Sequence, residues 1–258
     1  MPIAKLNRAI FKLSGEGVVA WLDGLITNSI AKHGLTFAAL LTPQGKIIAD
    51  FFIAHDGEAL LLETPAKFAA DLFKRLRMYK LRAPIEIEDL SETHSVYAIW
   101  DGEGAEGHAD PRLPALGYRV ITTEALPTTA DYNAHRLSLG MPESEWDFDT
   151  VTTFPADANM DFINGVDFKK GCFVGQEVVS RMRRMTTVKK RFRAVILSGE
   201  AVAGDKILSG ERVIGELLSV HGQIAMAMIR LDRLSAATQT PTVNDKTVQM
   251  MGSPDGQS

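Results

Sequence analysis

Residues 169–177, KKGCFVGQE, hold the only cysteine of the chain between two glycines, with two lysines before it and an amide and a carboxylate after it. The thiolate is the form of cysteine that attacks or ligates, and a nearby ammonium such as Lys169 or Lys170 favours it. Gly171 and Gly175 allow backbone conformations, and a close ligand approach, that other residues forbid. Gln176 and Glu177 can meet the N–H edge of an amidine-like heterocycle, since a carboxylate accepts two parallel N–H bonds. A plainer reading competes: a tight turn feeding a helix, with Cys172 a small inert side chain, because free cysteines are often buried. Local chemistry leaves both readings open.

A single cysteine excludes an internal disulfide and an all-cysteine metal site within one chain. The six histidines, His33, His55, His94, His108, His135 and His221, are scattered and give no zinc spacing with Cys172. Asp50, Asp101, Asp131 and Asp157 are candidate acids that composition cannot rank. The densest positive region is RMRRMTTVKKRFR, residues 181–193. Read as a strand from 188, it puts Lys189, Arg191 and Arg193 on one face and Lys190 with the apolar residues on the other. It is either an anion site for phosphate, RNA or a polycarboxylate tail, or a solvated strand face. Phe192 is its only aromatic residue, a thin platform for single-stranded nucleic acid.

Strand alternation marks 8–13, and helical spacing marks Val18 to Ile30, with Ser14 as a candidate cap and Gly34 as a stop. LTFAALL and KIIADFFIA read as a hairpin around Thr42-Pro43-Gln44-Gly45. ALLLE is a strand. Thr64-Pro65 opens a helix with stripe Phe68, Leu72 and Leu76. IEIEDL and SVYAIW are strands, 101–114 is a loop, and a helix spans about 130–139. From Val188 onward short strands separated by glycine turns describe a small antiparallel barrel. The whole is α+β. With 258 residues, 45% hydrophobic and a net charge of −4, the chain is an ordinary globular protein rather than a polyanion binder. The N-terminus shows no signal peptide, and no run reaches the roughly 20 apolar residues of a membrane span. The lone cysteine fits a reducing compartment, and the expected location is cytoplasmic.

KGCFVGQE, residues 170–177, resembles the signature of the YgfZ family, the folate-binding relatives of the glycine-cleavage T-protein (GcvT, aminomethyltransferase). WLDGLITN (21–28), LLTPQGKIIADF (40–51), YNAHRLSLGMPE (132–143) and FPADANMDFINGVDFKKGC (154–172) are similar to further family blocks in the same order. SGERVIGELLS and AMAMIRLDR look like its C-terminal barrel. Three positions depart from the pattern. Ser29 stands where relatives carry an acid, Asp157 where many carry glutamate, and Met185-Thr186-Thr187 replace a glycine-containing turn.

The resemblance implies a three-domain cloverleaf around a central folate channel. Domain one would be 1–45 plus 115–187, domain two 46–114 and the barrel 188–236, with 237–258 a flexible tail. It implies tetrahydrofolate or a one-carbon derivative as cofactor and, transiently, an iron–sulfur cluster. Its partners would be folate, iron–sulfur client enzymes and assembly proteins, including clients in tRNA modification; net charge and the lack of a spanning run add the expectation of no stable nucleic acid and no membrane. Carried over by position, Cys172 is the reactive residue. Asn28, Arg136, Asn159, Lys170, Gly171, Gly175, Gln176, Glu177 and Arg181 are the cofactor-binding set. The function implied is folate-binding assistance to the assembly or repair of clusters. A folate-dependent aminomethyl or methyl transferase and a non-catalytic tRNA-binding module are the alternatives.

Overall fold

The computed structural model describes residues 1–102, 107–185 and 188–252. The chain starts with β1 (Ile3–Leu6) and β2 (Arg8–Gly15), then α1 (Val18–Asp23). A meander follows, β3 (Thr36–Leu41), β4 (Ile47–Asp56) and β5 (Ala59–Pro65), then α2 (Ala69–Lys80) and β6 (Ile85–Asp89). Next come β7 (Ser95–Ile99), β8 (His108–Ala109), β9 (Tyr118–Thr122), α3 (Tyr132–Ser138), α4 (Ser144–Asp147) and α5 (Gln176–Met185). The last third holds β10 (Lys190–Leu197), β11 (Lys206–Ser209), β12 (Arg212–His221), β13 (Ile224–Arg230), α6 (Leu231–Leu234), β14 (Thr242–Val243) and β15 (Lys246–Met250).

The strands form three units. One sheet has the order β3-β4-β5-β2-β6, and a smaller one the order β1-β7-β9-β8. The third is a closed six-strand barrel, β10-β13-β12-β11-β14-β15, whose pairs are all antiparallel. Alternation along β2 explains how the larger sheet sits. Ala9, Phe11 and Leu13 join one core with α1 and α2, while Ile10 faces a second core shared with the small sheet, α3, α5 and the barrel. β4 divides in the same way, Phe51 and Ile53 to the first core and Phe52 and Ala54 to the second. A two-sided sheet of this kind needs apolar residues on both faces, and β3, TFAALL, is buried at every position.

Several expectations are corrected. The hairpin β3–β4 pairs from Thr36↔Ile53 to Leu41↔Ile47, with a register shift between Leu40 and Leu41, so a domain boundary at 45/46 would separate two paired strands. The segment 46–114 is shared between two sheets. The tail is not a loose end through its described part: β14 and β15 lie within residues 237–252, and β15 closes the barrel against β10. Residues 253–258 lie outside the described residues, as do 103–106 of the expected loop and Thr186-Thr187 of the departing turn. The helix expected from Val18 to Ile30 stops at Asp23, capped by Gly24 and not started by Ser14. Helical spacing continues past it, but Ile26 instead bridges to Leu40, and Thr27 accepts from the Ala39 amide and donates to the Gly165 carbonyl. Thr64 is not a helix cap: its hydroxyl donates to the Asp50 carbonyl across the sheet. α3 begins as expected, with the Asp131 side chain accepting from the amides of Asn133 and Ala134.

Candidate functional site

The Cys172 loop is bolted down on both sides. Before it, the ammonium of Lys170 donates to three carbonyls at the end of α1 and just after it, those of Asp23 (2.7 Å), Ile26 (3.0 Å) and Asn28 (2.8 Å). Asp23 Oδ1 lies 3.4 Å away. Burial lowers the pKa of this lysine, and Asp23 offsets only part of that. All three N–H groups are taken by oxygens, so none is left to hydrogen-bond a thiolate at Cys172. After the cysteine, Gly175 adopts φ +82 and packs against the β3–β4 turn. Gln176 Nε2 donates back to the Gly171 carbonyl at 3.2 Å. The loop then enters α5, with Glu177 in its first turn, where a carboxylate suits the helix dipole.

Cys172 is exposed, as are Gly171, Glu177 and Arg181. The plainer reading of a buried inert thiol is therefore wrong in its burial: the cysteine sits at the surface on a fixed loop. No group of three or more metal-binding side chains occurs among the described residues, so Cys172 has no intrachain ligand set around it.

The residues carried over with it go elsewhere. Asn28 donates to the carbonyls of Phe37 (2.9 Å) and Asn164 (2.7 Å). Asn159, at φ +60 and fully buried, donates to the Phe192 carbonyl at 2.8 Å and so ties the 154–165 turns to β10. Arg136 is also fully buried. It pairs with Asp147 at 2.5 Å and donates to Ser219 Oγ of β12 and to the Met141 carbonyl, joining α3 and α4 to the barrel. These three, with Lys170, brace the fold. A small apolar cleft of about 20 Å³ lies under α5, lined by Val166, Phe168, Val179, Met182 and Arg183 among others, and none of the carried-over residues borders it.

Two sequence details acquire a meaning. Ser29, in place of an acid, donates to Asp167 at 2.6 Å, which supplies the carboxylate from the loop before Lys170. The strand face read as an anion site or a solvated face is mixed: Lys189 is exposed and Arg191 is not. Arg191 is buried and grips Asp161 through two bonds of 2.8 and 2.7 Å, and Lys190 pairs with the buried Asp157 at 3.2 Å.

The largest polar feature was not singled out from the sequence. Where the two sheets, α3 and α4 meet, Arg8, Arg112 and Arg119 are buried with Glu63, Asp110 and Glu143. Arg112 reaches Glu143 at 2.6 Å and Asp110 at 2.8 Å, Arg119 reaches Glu63 at 2.7 Å, and Arg8 pairs with Glu63. Tyr132 accepts from both Arg112 and Arg119 and donates to Glu143. Burial alone would raise the Glu143 pKa, but Arg112, Arg119 and Arg8 outweigh it and hold the carboxyl at about 2. Asp50 behaves oppositely: burial raises its pKa, and Arg8 and the bond from Ser144 only partly offset that. Arg8, Arg112 and Arg119 stand against Glu63, Asp110 and Glu143, three cations and three anions. A charged residue inside the apolar runs KIIADFF and ALLLE was the available signal, since such residues are buried only when paired.

Replacing Lys170 by methionine removes the cation and strands the Asp23, Ile26 and Asn28 carbonyls. The expected cost is about 2–3 kcal/mol in urea unfolding, with faster alkylation of Cys172 as the loop loosens. An unchanged midpoint and alkylation rate would mean the carbonyls find water without penalty.

The fold and site define a class first. The chain superposes on the aminomethyltransferase T of the Bartonella henselae glycine cleavage system with a TM-score of 0.74, over 99% of this chain and 87% of that one. At 13% identity this establishes the aminomethyltransferase-like fold. Residues 189–252 match the family model of the CAF17 C-terminal beta-barrel domain. More particularly, the chain is 32% identical over 235 residues to the mitochondrial iron-sulfur cluster assembly factor IBA57 homolog of Neurospora crassa. That alignment covers 76% of this chain and 54% of the fungal protein, so the chain spans about half the length of this relative. The Mus musculus IBA57 is 25% identical, with 94% of this chain and 81% of the relative aligned; the Homo sapiens protein is 24% identical, with 88% and 77%. These relatives are named mitochondrial, which corrects the cytoplasmic expectation. A single free cysteine indicates only a reducing environment, and it cannot tell one such compartment from another.

Proposed function

We propose that this protein is an iron–sulfur cluster assembly factor in which Cys172 contributes one thiolate to a cluster completed by a partner protein. The relatives named as cluster assembly factors support the first part. The carrying observation for the second is an exposed cysteine on a loop held rigid by Lys170 and Gly175, with no second thiol in the chain. A stable cluster takes about four thiolates or equivalent ligands, so the remainder must come from outside. On ligation the thiol loses its proton to solvent and its sulfur binds iron; no electron is transferred in that step. The relation to CAF17 and IBA57 proteins fits this reading better than the wider YgfZ grouping, because the relatives named above align over most of the chain.

The residues carried over for tetrahydrofolate divide in two: Gly171, Glu177 and Arg181 are exposed, and others are used within the fold. Asn28, Arg136, Asn159 and Lys170 spend their polar atoms on the protein. No step is routed through folate.

The test is anaerobic reconstitution of the purified protein with a cluster-free carrier protein, iron and sulfide, read by visible absorption and by co-elution. Wild type is expected to share a cluster with the carrier, and Cys172→Ser to leave the carrier spectrum as it is alone. Tetrahydrofolate in the mixture should leave the yield unchanged. A serine variant that shares the cluster fully would remove the thiol from the mechanism, and a folate-dependent yield would restore the cofactor.

A further inference from the structure

Five of the nine residues from Lys74 to Arg82 are cationic and none is acidic, in a chain whose net charge is −4. They form the C-terminal half of α2 and the turn after it. Leu72 and Leu76 are buried against the sheet, while Lys74, Arg77 and Met78 are exposed on the outer side. Lys74, Arg75, Arg77, Lys80 and Arg82 have no ion-pair partner among the described residues. The nearby acids are Asp71 in the first turn, and Glu86 and Glu88, which line a groove together with Arg77 and Lys80.

Two apolar side chains stand among these cations. Met78 is 58% exposed and Leu81 84%, the highest of any large hydrophobic residue described. Leu81 is also the helix C-cap, at φ 45 and ψ −106. Glycine would hold that turn with less strain, and the exposed leucine adds nothing to the core.

We propose that residues 74–82 are a docking surface for an anionic phospholipid bilayer, with the cations at the headgroup phosphates and Met78 and Leu81 in the acyl boundary. Charge complementarity selects an anionic occupant. A nucleic acid would want exposed rings for stacking, and the two rings here, Phe73 and Tyr79, are half-buried. An acidic protein would match the charge but would need a shaped pocket to receive Met78 and Leu81; a bilayer accepts projecting apolar groups without one. The surface is also tied to the thiol loop. Trp21 of α1 donates to the Tyr79 carbonyl at 3.5 Å, and Lys170 holds the segment that follows α1. The expectation of no membrane partner rested on the lack of a spanning segment. No described helix is long and apolar enough to cross, but surface docking needs none.

The test is co-sedimentation of the full chain with phosphatidylcholine vesicles, with and without about 30 mol% phosphatidylglycerol, at low and high salt. Binding is expected only with the anionic lipid and is expected to vanish at about 1 M salt, where the screening length falls to about 3 Å. Lys74→Gln with Arg77→Gln should weaken it about fivefold per charge removed. Leu81→Gly should raise Tm while weakening binding, an outcome a purely structural leucine would not give. Met78→Asp with Leu81→Asp should abolish binding with an unchanged circular dichroism spectrum. Equal sedimentation with neutral vesicles, no sedimentation at all, or wild-type binding by the aspartate pair would overturn the proposal. So would tRNA binding through the same cations without vesicle binding, which would assign the face to nucleic acid.

Discussion

Replacing Glu143 by alanine is expected to destabilise this protein by about 3–5 kcal/mol, a third or more of the stability of an ordinary domain. The carboxylate sits at the centre of the buried network. It meets Arg112 at 2.6 Å, Arg119 at 3.3 Å and Arg8 at 3.8 Å, and accepts from Tyr132 at 3.0 Å. Alanine would leave three buried guanidinium groups facing only Glu63 and Asp110, with one positive charge uncompensated. The side chains involved are all 1–2% exposed, so solvent does little to screen it. Glu143→Gln keeps the shape and one acceptor oxygen but loses the charge, and should fall between wild type and alanine. Urea unfolding followed by fluorescence and circular dichroism checks this. A loss below about 1 kcal/mol for alanine would show that water enters the junction and solvates the arginines. The network joins elements far apart in sequence, from Arg8 in β2 to Glu143 beside α4, so its failure should unfold both sheets together.

The sequence was most readable where period and punctuation agree. β4, β5 and the barrel strands follow apolar runs bounded by Gly, Pro or Asp, and α3 starts at a capping aspartate. It misled where a helical period continues but the backbone has other bonds to make. Leu25, Ile26 and Ile30 have helical spacing, yet Lys170, some 140 residues later, claims the carbonyls of that segment. No local pattern can report so distant a partner. β15 was hidden differently: KTVQM is polar enough to pass for a tail and becomes a strand because β10 has an edge to fill. At the site, the motif singled out a loop that carries an exposed cysteine, but residue type could not say which polar side chains face outward. Arg136 and Asn159 have the chemistry of ligand contacts and are consumed inside the fold, since buried polar groups must find partners wherever the chain places them.

The two glycines of the motif separate positioning from reactivity. Gly175 has φ +82, and a Cβ there would lie 2.7 Å from the Thr42 carbonyl oxygen and 3.2 Å from Gly45 Cα. The contact is mutual, because a Cβ on Gly45 would lie 2.9 Å from that of Val178 in α5. At Gly175 the two nearest atoms are backbone and cannot yield; at Gly45 they belong to the Val178 side chain, whose Cβ is fixed to α5. Gly175→Ala should therefore cost about 1–3 kcal/mol from the dihedral alone and, by the clash, push the start of α5 off the β3–β4 turn. A methyl at Gly171 would meet nothing within 4 Å, and the φ there is not positive, so Gly171→Ala should stay within about 0.5 kcal/mol of wild type. The measurement is thiol titration of the folded protein with a coloured disulfide, alongside the cluster-sharing assay. Gly175→Ala is expected to change the Cys172 reaction rate severalfold and to lower cluster sharing with the cysteine still present; Gly171→Ala should leave the reaction rate near wild type. If Gly175→Ala shares clusters as well as wild type despite its altered thiol rate, exposure of the sulfur is what matters, and the rigid mounting by Lys170 and the β3–β4 turn serves stability alone.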